Sequence, residues 1–203
     1  MQRICLIAAS LLTLMGPIAH ADNSTVFGME LQKPFNIVEC PYQHITKTMG
    51  IYNPPKNGVC YETIADAYEG KGKLPPDVTV RVTWPLGSIP IPVTGLYAIA
   101  KIIGGNLESL SFNTLGIKSQ ERDLQILSDK YGKPTAIDRA EMQNGFGAKF
   151  ESIRTQWDFG DVVVSFDSSP STFNSGLVRV ETRKAIADTK AALEKLHQNR
   201  PSL

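Results

Sequence analysis

Histidine and cysteine are scarce in this chain, three of each among 203 residues. His20 and Cys5 fall in the first 21 residues, which leaves His44, His197, Cys40 and Cys60 for everything downstream. A structural zinc takes four close Cys or His ligands, and only His44 stands near the cysteine pair, so no metal ligands are assigned. A Ser-His-Asp site needs a well-placed base and a nucleophile turn such as G-x-S-x-G. That turn is missing, and so are the phosphate-loop spacing G-x-x-x-x-G-K-[ST] and any surplus of positive charge. With 21 basic and 20 acidic residues, the chain lacks the basic balance of a nucleic-acid binder. No catalytic residue and no cofactor are expected, and the chain reads as a non-enzyme.

Long hydrophobic runs are also missing, apart from one at the start. MQRICLIAASLLTLMGPIAHA combines a single charge at Arg3, an apolar run from Ile4 to Met15, the helix-breaking Gly16-Pro17 and an Ala19-His20-Ala21 end. The run is short of the roughly 20 residues that span a bilayer. Together these features predict a secretory signal peptide over 1–21, cleaved after Ala21. No cysteine stands at that point for lipidation. The expected location is therefore periplasmic or secreted, in a bacterium, with no transmembrane segment after cleavage.

In an oxidising compartment two remaining cysteines pair. Cys40 and Cys60 are read as a disulfide closing a loop of about 20 residues, worth on the order of 3 kcal/mol in the chain-entropy description. The enclosed stretch carries Gly50, Pro54-Pro55 and Asn57-Gly58, the residues of irregular backbone. A redox pair would more often be spaced C-x-x-C. Three segments follow: the leader 1–21, an irregular disulfide-clasped region 22–76, and a sheet-and-helix domain 77–203. Within the middle one, "VFGMEL" is read as a short strand and Tyr61 to Gly70 as a helical turn or two.

From residue 78 the period of the sequence becomes two. "VTVRVTW" (78–84) alternates as a half-buried strand does, and "LYAIAKII" (96–103) with "LESLSFNT" (107–114) flank a Gly104-Gly105-Asn106 hairpin turn. "SQERDLQILSDKYGKP" then changes to helical spacing. Ser119 is the expected N-cap, Glu121 and Asp123 lie in the first turn, Leu124, Leu127 and Tyr131 form a stripe, and Gly132 with Pro134 supplies the stop. "QNGFGAKF" is read as a flexible connection. Strands follow over "ESIRTQW", "DVVVSF" and "GLVRVET" (176–182), with turns at 158–161 and 168–175. "RKAIADTKAALEKLHQ" closes the chain as a helix with Ile186, Leu193 and Leu196 on one stripe. The pattern predicts an α+β fold: a mostly antiparallel sheet with the internal and C-terminal helices on one face.

The L-x-x-K-Y-G-K-P helix end, Leu127 to Pro134, set before a sheet, resembles small secreted helix-on-sheet proteins of the beta-lactamase-inhibitor or outer-membrane-assembly-lipoprotein type. The likeness covers under half of the chain. It implies a helix lying on a sheet and marks no binding residue.

Several spellings suggest chemistry that their context removes. "DFG" at 158–160 ends one alternating segment and begins another, so it is read as a hairpin turn. Asp161 and Asp167 share strand parity but stand about 20 Å apart at 3.3 Å per residue, too far for one calcium ion. The loop Leu86 to Leu96 is more suggestive. Ile89, Pro90, Ile91, Pro92 and Val93 form a proline-stiffened apolar run that loses little entropy on docking; the competing reading has them cover a sheet edge. They are the candidate partner-binding residues. Trp84 and Lys149 are the candidate ligand contacts, through an aromatic platform and a countercharge. The expected function is a non-catalytic binding protein that inhibits or neutralises another envelope protein. The alternatives are a binder of a small ligand or envelope polymer, and a hydrolase.

Overall fold

Val, Ile and Thr at every second position favour a pleated, half-buried ladder, and the computed structural model, which describes residues 23–44, 50–53, 55–64, 74–143 and 145–198, is built mainly from such ladders. In chain order the elements are β1 (Thr25–Val26), β2 (Met29–Glu30), β3 (Val38–Glu39), β4 (Tyr42–His44), β5 (Gly50–Tyr52), β6 (Cys60–Thr63), β7 (Val78–Thr83), β8 (Tyr97–Ile103), β9 (Asn106–Thr114), α1 (Gln120–Tyr131), β10 (Ala136–Gln143), β11 (Lys149–Asp158), β12 (Val162–Thr172), β13 (Ser175–Thr182) and α2 (Arg183–Gln198). The expected leader lies outside the described residues.

Among the described residues one nine-stranded sheet runs in the order β10-β11-β12-β13-β9-β8-β7-β6-β3, while β1–β2 and β4–β5 are separate hairpins. The class is α+β. The mostly antiparallel sheet is a mixed one, because β3 and β6 run parallel, with Val38 opposite Cys60 and Glu39 opposite Tyr61. The cause is local. A Cys40–Cys60 disulfide with Cα atoms 4.8 Å apart fastens the end of β3 beside the start of β6, and the Cys40 N–H donates to the Tyr61 carbonyl at 2.8 Å. Both strands come from the 22–76 segment, so that segment contributes to the same sheet as 77–203.

Cross-strand partners share a face, which lets the core be traced. Trp157, Val164, Val180, Leu110, Ala100 and Val80 succeed one another across six strands, and all six are buried. Leu127 and Tyr131 of α1 complete this core together with Val26, Met29 and Leu31. Burial pushes the Tyr131 phenol well above its usual range. The helix stops as expected at Gly132, whose φ of 77° suits glycine and whose N–H returns to the Ser128 carbonyl. Ser119 takes the N-cap position as expected, but without a side-chain cap. Its hydroxyl donates to the buried Asp123 carboxylate at 2.5 Å instead of accepting a backbone N–H.

Four other expectations are corrected. Tyr61–Thr63 is strand, not helical turn, and residues 65–70 lie outside the described residues. β10 is a strand where no strand is expected, because "AIDRAEMQ" is an almost wholly exposed edge strand that leaves no alternating apolar pattern. "QNGFGAKF" is accordingly the region of the β10–β11 hairpin turn. The 168–175 turn shrinks to Phe173 and Asn174, since β12 continues to Thr172. As for the helices, α1 lies on the core face, whereas α2 reaches the sheet chiefly near its start. Ala185 is its one buried residue, and Asp188 pairs with Lys101 at 2.7 Å, a side chain that alternates with buried Ala100 and Ile102. Leu193 and Leu196 are exposed.

Candidate functional site

β7 and β8 are joined by the proline-rich loop, and its internal hydrogen bonds fold it into two tight turns. The Ser88 N–H donates to the Pro85 carbonyl at 3.0 Å, the Val93 N–H to the Pro90 carbonyl at 2.9 Å, and the Thr94 N–H ties the loop to Asn113 of β9. Ile89 and Val93 pack against the core, Pro92 is buried and Pro90 half-buried. Ile91 points outward and is 70% exposed, as is Leu86. The run therefore divides by residue: part of it covers the sheet, and Leu86 and Ile91, second in each turn, face solvent. Leu86 lies outside the Ile89–Val93 run, and its place between Pro85 and Gly87 is the sequence signal of a turn tip.

Trp84, expected as an exposed platform, is core. It is only 5% exposed and meets the edge of Phe27 at 5.6 Å between ring centroids. Lys149 is exposed and pairs with Glu141 across the hairpin at 2.8 Å, so its charge is engaged. Asp158 accepts from the Gly160 N–H and from Arg183, contacts that hold its carboxyl below the usual range. The DFG triplet is thus the β11–β12 turn.

Beside the disulfide lies a groove of about 700 Å³ bounded by Val38, Glu39, Gln43, Asn53, Lys56 and Val59, among others. The Tyr52 hydroxyl lies near, donating to Glu39 at 3.0 Å and sharing a hydrogen bond with Thr63 at 2.9 Å. Burial, with the Glu39 carboxylate adding to it, pushes that phenol up. A second, shallower groove of about 350 Å³ lies over β10 to β13. Among the described residues no three His, Cys, Asp or Glu side chains gather in a metal-binding arrangement, and no helix is long and apolar enough to cross a membrane.

No protein family, curated protein or solved structure matches this chain. The geometry alone therefore carries the functional reading.

Proposed function

We propose that this chain is an exported, non-catalytic interaction protein that blocks or neutralises another protein of the bacterial envelope, docking through the loop from Pro85 to Leu96. One observation carries the reading: Leu86 and Ile91 are each 70% exposed on a segment whose neighbours Ile89, Pro92 and Val93 are anchored. Apolar tips held by a fixed base bury surface on docking while losing little conformational freedom. An oxidising compartment, compatible with the disulfide, agrees with export.

The test is binding of the mature protein to envelope proteins, compared with a Leu86→Asp/Ile91→Asp variant. The variant should keep its melting temperature, since both side chains are exposed, and lose saturable binding. A saturable complex indifferent to both substitutions removes the loop from the reading. Absence of any saturable protein partner removes the reading itself.

The groove beside the disulfide favours a second reading, a binder of a small ligand or envelope polymer, because its size suits a small molecule. Thermal-shift screening with cell-wall fragments separates the two, since a ligand selective for the native state raises Tm.

A further inference from the structure

The sheet has a second face. Opposite the core, one register row runs Gln156, Ser165, Arg179 and Ser111. Gln156 and Arg179 are exposed, and Ser165 is half-buried between them. All three line the shallow groove of about 350 Å³. Adjacent strands stand about 4.8 Å apart, so a serine hydroxyl sits between a primary amide and a guanidinium within the reach of one small group. Among the described residues none of these three side chains has a hydrogen bond or ion pair.

Among the described residues three other charges near the groove, Arg154, Asp167 and Glu181, are engaged, and Asp138 is not. Arg154 pairs with Asp167 at 3.1 Å, and Asp167 also accepts from the Ser169 N–H at 2.9 Å. Glu181, two residues beyond Arg179 on the same face, accepts from the Ser109 hydroxyl at 3.4 Å. Asp138 sits at the outer rim, opposite Arg154. Arg179 is the groove's uncompensated cation.

We propose that Gln156, Ser165 and Arg179 form a carboxylate-binding site. The planar fork of an arginine matches the two oxygens of a carboxylate, and the hydroxyl and the amide add neutral donors beside it. A phosphate dianion fits less well, because the unpaired Asp138 at the rim and Glu181 beside Arg179 repel the second charge. The site lies on β11, β12 and β13, apart from the loop between β7 and β8, and does not depend on the role given to that loop.

Two sources of the carboxylate are to be distinguished, an acidic peptide and a uronic-acid polymer. The probes are an end-capped peptide with a single Glu, its Gln counterpart, an oligogalacturonate and a neutral oligosaccharide of equal length, titrated into ¹⁵N-labelled protein. Saturable shifts at the amides of Gln156, Ser165 and Arg179 are expected with one or both carboxylate probes and with neither neutral one. Arg179→Gln should weaken binding about tenfold or more with Tm unchanged, Arg179→Lys should weaken it less, and Leu86→Asp/Ile91→Asp should leave it intact. The site is overturned by the absence of saturable shifts into the millimolar range, by equal binding of the Gln peptide, by tighter binding of inorganic phosphate, or by affinity indifferent to Arg179→Gln.

Discussion

The Trp157 indole N–H donates to the Gly132 carbonyl at 2.8 Å, joining the end of α1 to the sheet beneath it. The same ring lies 6.1 Å from that of Tyr131 and is almost fully buried. Trp157→Phe keeps most of the apolar contact but leaves a carbonyl without its donor, an expected loss of about 1–3 kcal/mol. Trp157→Ala adds a cavity and should cost about 3–5 kcal/mol. Urea denaturation measures both, and equal losses would contradict this division.

Two glycines with similar backbone angles should respond differently to alanine. Gly116 has a φ of +65°, and a Cβ there would stand 2.6 Å from the Phe173 carbonyl oxygen and 2.7 Å from the Ser175 nitrogen. Gly160, in the β11–β12 turn, has a φ of +82° with nothing within 4 Å of the added carbon. Gly160→Ala should cost about 1 kcal/mol from backbone preference alone. Gly116→Ala should exceed it by at least about 2 kcal/mol, since backbone must move. Comparable denaturation midpoints for the two variants would refute the packing around Gly116.

The disulfide closes the parallel end of the sheet. Cys40→Ala/Cys60→Ala should lower stability by on the order of 3 kcal/mol, and the Cys40 amide, bonded to the Tyr61 carbonyl, should lose hydrogen-exchange protection ahead of β8 and β9. Undiminished protection at that amide would show that the parallel pair holds without its covalent link.

Arg139 bridges Glu121 of α1 and Glu151 of β11, at 2.7 Å and 2.6 Å. Its guanidinium holds the Glu121 carboxyl below the usual carboxylate range. A depressed folded value contributes stability at pH above the unfolded carboxyl's pKa, and that contribution is lost as pH falls through the folded value. Both partners are solvent-exposed and screened, so Arg139→Met should cost less than about 1 kcal/mol at neutral pH. The gap should close below the carboxylate range; a gap that widens on acidification reverses the assignment.

Where one face of an element is apolar and the other wet, the residues of the sequence declare it. Val80, Val82, Ile153, Trp157, Val164 and Val180 occupy the core side predicted by alternation, and Leu127 and Tyr131 occupy the helical stripe. β10 has no such contrast, and β3 is only two residues long, so neither leaves a periodic trace. Burial of Trp84 depends on Phe27, more than fifty positions away, and a local reading cannot supply that neighbour. The loop was legible as apolar and stiff. Which of its side chains turn outward was decided by hydrogen bonds to Pro85, Pro90 and Asn113. The Gln156–Ser165–Arg179 row was hidden for the same reason, being adjacent only through strand register.

The two margins of the main sheet are unequal. At one end stands β3, two residues held against a cystine; at the other, β10 offers eight residues in unbroken register with β11. Among the described residues the longer template for a further strand is the β10 margin, and a second copy pairing there would leave its own two-residue β3 margin on the outside.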